Sequence, residues 1–191
     1  MASIYELLGV LVVSFALNLV PFASPSNLFI ASNAALLLES DPFTLGFLVA
    51  LGSACAKGIH YIITFFVSKH LSEKRRQRLD TEAVKIKRWA FLLLFVAAAT
   101  PIPDEPVVIP LGLLKYNPAK FFAAFFLGKL SITIFGAYMG KWSEGAFSSV
   151  ISQEALIIIS IISTILITIL LLKVDFGKVI KKILRKKTDT I

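Results

Sequence analysis

The sequence predicts an all-α polytopic membrane protein. It reads as two inverted repeats, each a Pro-broken re-entrant helical hairpin followed by a long transmembrane helix, with one further C-terminal transmembrane helix. Three observations predict this. Hydrophobic residues make up 57% of the 191 and charged residues 17%, with a mean hydropathy of +0.81, so too few charges remain to cover a soluble surface. Proline-interrupted apolar runs recur at a constant spacing of 76 residues. Fifteen of the twenty Lys and Arg lie in two segments, 69–88 and 173 onward, the pattern that the positive-inside bias leaves on cytoplasmic loops.

The first apolar run, Leu7 to Leu38, is divided by Pro21 and Pro25 into arms of 14 and 13 residues. Each arm is about 20 Å long as a helix, short of the roughly 30 Å hydrocarbon core. Two half-length arms around a Pro-rich turn describe a hairpin that enters and leaves on one side. No basic segment precedes the run, which argues against a signal peptide; a kinked helix spanning 4–20 is the alternative. Phe43 to Val67 follows as a long spanning helix, opened by Asp41 as N-cap and Pro42 at the first helical position. After the basic linker 69–88, Trp89 to Thr100 and Val107 to Leu114 form a second pair of short arms, separated by Pro101, Pro103 and Pro106. Asn117 and Pro118 then open the second long helix, Ala119 to Trp142. Ala155 to Leu172 is a clean 18-residue span, and 174–191 is a basic tail.

The repeats coincide without a gap: Ser24-Pro25 with Thr100-Pro101, Asp41-Pro42 with Asn117-Pro118, and Leu51-Gly52 with Leu127-Gly128. Repeat one therefore covers 4–68 and repeat two 89–142, within a single transmembrane domain of 1–173. Placing 69–88 and the tail in the cytoplasm requires an even number of crossings between them. The helices 119–142 and 155–172 supply two. The first hairpin then dips from outside and the second from inside, and their tips meet near the midplane. The expected location is the cytoplasmic membrane, with the C-terminus cytoplasmic.

Intramembrane charges select the candidate site. Asp104 and Glu105 sit at the second tip, where an unpaired carboxylate costs several kcal/mol. Lys57 and Lys129 lie near the middles of the long helices and are the expected partners, since 129 maps to 53, one helical turn from 57. Two carboxylates and two lysines are neutral together and could open to admit an anionic headgroup on the lysines while a carboxylate takes a proton. The alternative has Asp104 and Glu105 capping a half-helix from Val107 in cytoplasmic water. His60, one turn after Lys57, is a candidate proton relay or an ordinary packed histidine. Phe121, Phe122, Phe125 and Phe126 form an aromatic stripe expected to face lipid, or else to line an acyl-chain groove.

Other chemistries lack residues. Cys55 is the only cysteine and the two histidines are ten residues apart, so no metal site or cofactor is expected. No phosphate-cradling Gly loop or Ser-centred elbow occurs, and an enzyme is not expected. The net charge of +8 follows loop topology rather than nucleic-acid binding. Segments 73–88 and 178–187 mix apolar and basic residues as interfacial helices on anionic lipid do, although such runs also serve as simple topology determinants.

The stretch from Thr100 to Gly112, TPIPDEPVVIPLG, with Lys115-Tyr-Asn-Pro-Ala-Lys-Phe and Leu127-Gly-Lys, resembles the DedA family, whose members are also called VTT or SNARE-associated membrane proteins. The likeness covers residues 4–142. It implies two inverted re-entrant hairpins and a role in moving lipids across the bilayer, including polyisoprenyl-phosphate carriers and phospholipids. Bacterial members carry an Arg-x-x-Pro-x-x-Arg pattern at the second hairpin and an acidic residue near the first. Here Pro103 fills the proline place, Thr100 and Pro106 replace the arginines, and the first tip, Pro21 to Asn27, contains no carboxylate.

The expected function is translocation or scrambling of an anionic lipid or polyisoprenyl-phosphate carrier, with proton or cation coupling as an option. The alternative is a coupled transporter of a small solute. Membrane lipids are the expected partners, and homo-oligomerisation is left open.

Overall fold

The computed structural model describes residues 2–21, 24–70 and 88–147, together with 152, 155, 158, 159, 162, 165 and 166. The expected last transmembrane helix (155–172, apart from those isolated positions), most of the basic linker and the tail 174–191 lie outside the described residues. Among the described residues all regular structure is helical. The helices are α1 (Ile4–Leu19), α2 (Asn27–Leu37), α3 (Pro42–Val67), α4 (Arg88–Ala98), α5 (Glu105–Leu113) and α6 (Pro118–Phe147).

Local chemistry sets the ends. Ser3 and Glu6 form a reciprocal capping box, so α1 starts three residues before the uncharged run. Asp41 accepts from Thr44 N at 2.9 Å and Asn117 from Lys120 N at 3.0 Å, the two Asx-Pro caps at equivalent places. At 26 and 30 residues, α3 and α6 are long and apolar enough to cross a membrane. The shorter helices are not. The second arm of the second pair starts at Glu105 rather than Val107, because Pro106 occupies the first turn, where its missing N–H costs nothing. It ends at Leu113, and two residues on Lys115, with a φ of 50°, lets Tyr116 N–H reach Leu111 O at 3.0 Å.

α3 and α6 form a central antiparallel pair. Thr133 Oγ1 donates to Gly46 O at 2.8 Å at one end, and Tyr61 packs on Phe121 with ring centroids 4.5 Å apart toward the other. α1 and α5 lie on α3; α2 and α4 lie on α6. Ala2 N–H bonds Glu39 O at 3.0 Å, bringing the start of α1 to the end of α2. The aromatic stripe divides between two environments. Phe121 and Phe125 are buried with Tyr61, Ala90 and Leu94, whereas Phe122 is 39% exposed. Residues four apart share a helix face, and the face holding 121 and 125 is the one that α3 and α4 cover.

Close helix crossings depend on missing side chains. A Cβ on Gly128 would stand 2.5 Å from Phe95 O of α4, and one on Gly136 would stand 2.4 Å from Leu28 O of α2. Gly128→Ala and Gly136→Ala are each expected to destabilise the fold by about 1–3 kcal/mol through overpacking. Gly58, with nothing within 4 Å of its would-be Cβ, is the control. Gly58→Ala is expected to stabilise by up to about 1 kcal/mol through helix propensity. Thermal unfolding in detergent checks all three.

Candidate functional site

The second break, residues 99–104, runs from the end of α4 to the N-cap of α5. Pro101 and Pro103 bar a helix here, and Thr100 Oγ1 bonds back to Ala97 O at 2.9 Å, satisfying one carbonyl of the ending arm. Ser24 does the same at the first break, to Val20 O at 2.8 Å. The second turn delivers Asp104 and Glu105 side by side into the gap between α3 and α6.

Four charges meet there. Lys57 Nζ donates to Glu105 Oε1 at 2.5 Å and lies 3.4 Å from Asp104 Oδ1; Lys129 Nζ lies 2.8 Å from Asp104 Oδ2. Relative exposures are 1% for Lys57, 3% for Lys129, 4% for Asp104 and 2% for Glu105. These values are incompatible with caps in open water, and Asp104 makes no side-chain cap bond. Taking an ion out of water costs several kcal/mol, so each charge persists through its partners. Lys129 also lies 5.3 Å from the Phe125 ring centroid, an added cation–π contact.

The first break is held by neutral groups. The side-chain amides of Asn18 and Asn27 bond each other reciprocally at 2.9 and 3.0 Å across the break. Ser53 of α3 donates to Asn18 Oδ1 at 3.1 Å, and Ser14 donates to Val49 O at 2.8 Å. All four side chains are buried. At the 76-residue spacing, Ser53 and Lys57 correspond to Lys129 and Thr133, so each long helix carries one lysine and one hydroxyl a turn apart, in exchanged order.

His60 Nε2 lies 2.9 Å from Leu19 O at the end of α1, which requires the proton on Nε2 if that nitrogen donates. Among the described residues His60 makes no ion pair, so it ties the first arm to α3 and stands apart from the quartet.

Both breaks line one cavity of about 30 Å³, with Lys57, Lys129, Asp104 and Glu105 in its wall. Pro25, Pro101 and Pro103 are among its lining residues, whereas Pro21 and Pro106 are not. This space has room for a water and none for a headgroup, so the cavity is closed to a headgroup here. Ser26 Oγ in the wall is buried without a hydrogen-bond partner among the described residues, and Asp104 Oδ1 has the 3.4 Å ion-pair contact with Lys57. No group of three or more metal-ligating side chains occurs among the described residues. Asn18, Asn27, Ser26 and Ser53 are site residues that charge counting passes over; their signal is polarity inside apolar runs.

The chain is similar to an uncharacterized protein of Methanocaldococcus jannaschii, 29% identical over 133 residues, which cover 66% of this chain and 78% of the relative. No solved structure matches it. Residues 24–142, more than half of the chain and everything from Ser24 in the first break through most of α6, match the VTT domain. The buried charges, Pro25 and the whole second break thus lie within a recognised membrane-protein unit, and the chain belongs to the VTT domain, or DedA, family.

Proposed function

We propose that this protein translocates an anionic lipid, or a polyisoprenyl-phosphate carrier, across the cytoplasmic membrane by passing its headgroup between the two breaks. In this reading α1–α2 and α4–α5 are inverted re-entrant hairpins, one from each face, and the last apolar run completes the membrane domain. The observation that carries the reading is the neutral quartet Lys57, Glu105, Asp104 and Lys129, buried where both breaks line one cavity. Intramembrane charges of this kind mark substrate or ion pathways. A phosphate headgroup replaces the carboxylates on the two lysines as the breaks separate, and a carboxylate so released takes a proton or faces water. Ser26 Oγ supplies a hydroxyl donor to the same headgroup.

The closed cavity's small size favours a second reading, a proton- or cation-coupled transporter of a small solute. Purified protein in liposomes separates the two. Loss of inner-leaflet protection of a headgroup-labelled anionic phospholipid is expected; uptake of small solutes without lipid movement would select the second reading.

The topology has its own test. On a Cys55→Ser background, single cysteines at 78 and 148 are expected to react with membrane-impermeant thiol reagent from opposite sides. Labelling of both from one side would remove the inverted arrangement.

A further inference from the structure

α1 and α2 are consecutive, yet each packs on a different long helix and they touch one another little. Between them lies a groove of about 330 Å³. Gly9, Val13 and Leu17 line one wall at successive turns of α1; Ile30, Ala34 and Leu37 line the other on α2. Asn33 is the one polar side chain among its lining residues, and its Nδ2 is engaged by Phe29 O at 2.8 Å. Val13 and Leu37 remain 54% exposed, so the described protein leaves the groove open. A Cβ on Gly9 would meet nothing within 4 Å.

Pro25 lines both this groove and the charged cavity. A polar, lysine-bearing cavity and an apolar groove on either side of Pro25 offer the two environments that an anionic amphiphile needs. The groove's length also selects among amphiphiles. α2 has 11 residues and is about 16 Å long, close to half of the roughly 30 Å hydrocarbon core. That accommodates a chain reaching through one leaflet and is short for a polyprenyl chain.

We propose that the α1–α2 groove holds one acyl chain of an anionic glycerophospholipid while its headgroup enters between the breaks as they separate. This rests on the lipid-translocation reading and adds a chain-binding site to it. Ile165 also lines the groove.

The test uses the full chain in nanodiscs containing phosphatidylglycerol with a photoactivatable diazirine in the middle of one acyl chain, with adducts mapped by peptide mass spectrometry. Adducts are expected to concentrate on α1 and α2 at groove residues. Val13→Trp, which fills the groove, is expected to reduce them at least fivefold and to slow phosphatidylglycerol translocation by a similar factor. Val12→Trp, on the exposed outer face of the same helix, is expected to leave both within twofold. Adducts spread evenly over the exposed faces of α3 and α6 and unchanged by Val13→Trp would overturn the groove. Stronger groove labelling by a diazirine-bearing polyprenyl phosphate would overturn the acyl assignment. The adduct map decides the groove independently of transport. Groove adducts that Val13→Trp removes, in a wild-type protein that moves no lipid, would uphold the binding site and reject the translocase reading.

Discussion

Asp104→Asn is expected to slow translocation of an anionic lipid by roughly 10- to 100-fold, the rate equivalent of the 1.5–3 kcal/mol that a hydrogen bond to a charged group contributes. The substitution keeps shape and an acceptor oxygen while deleting the charge. Among the described residues Asp104 is the one carboxylate paired with Lys129, at 2.8 Å, so the change leaves that lysine without a counter-charge. Glu105→Gln is expected to be milder, because Lys57 retains Asp104 at 3.4 Å. Initial rates of headgroup movement in proteoliposomes check this order, with monodispersity in detergent confirming that both variants fold. Wild-type rates in both would make the carboxylates structural and leave the lysines as the only candidates for headgroup contact.

Lys57→Met carries the largest expected effect on stability. Lys57 is 1% exposed and holds Glu105 at 2.5 Å; removing it leaves a buried carboxylate short of its partner, which costs about 3–5 kcal/mol. Lys57→Met combined with Glu105→Met is expected to recover most of that loss. The double change removes one charge of each sign, keeps Asp104 with Lys129, and substitutes apolar side chains of similar length, an exchange that is often neutral or stabilising. Chemical unfolding of the single and double variants measures the coupling. Equal destabilisation by Lys57→Met with and without the second change would mean that the pair does not interact as its geometry requires.

Some structural signals are carried by residue type alone and others depend on tertiary packing. Proline, Asx caps and buried charge act locally or carry a large energetic penalty, so Pro25, Pro101, Pro103, Asp41, Asn117 and the four charged residues are legible from residue type and depth alone. The Ser3–Glu6 capping box was equally local, and its spacing alone marks the start of α1. The Asn18, Asn27 and Ser53 network is different in kind. Asn18 and Ser53 are 35 residues apart, and uncharged polar residues in an apolar run do not announce their partners. His60 shares a helix face with Lys57, but the packing of α1 on α3 presents it with Leu19 O first. The inward turn of Phe121 and Phe125 likewise depends on which face of α6 its neighbours cover, a tertiary choice absent from the spacing.

The most direct test of the central claim is the translocation rate of the Lys57→Met/Glu105→Met double variant, matched with wild type for folding and for reconstitution into anionic liposomes. If the buried quartet receives the headgroup, this stable protein, with half of the charges gone, moves lipid at less than about a tenth of the wild-type rate. Movement at the wild-type rate would contradict the claim and leave the quartet a device for holding the second break between α3 and α6.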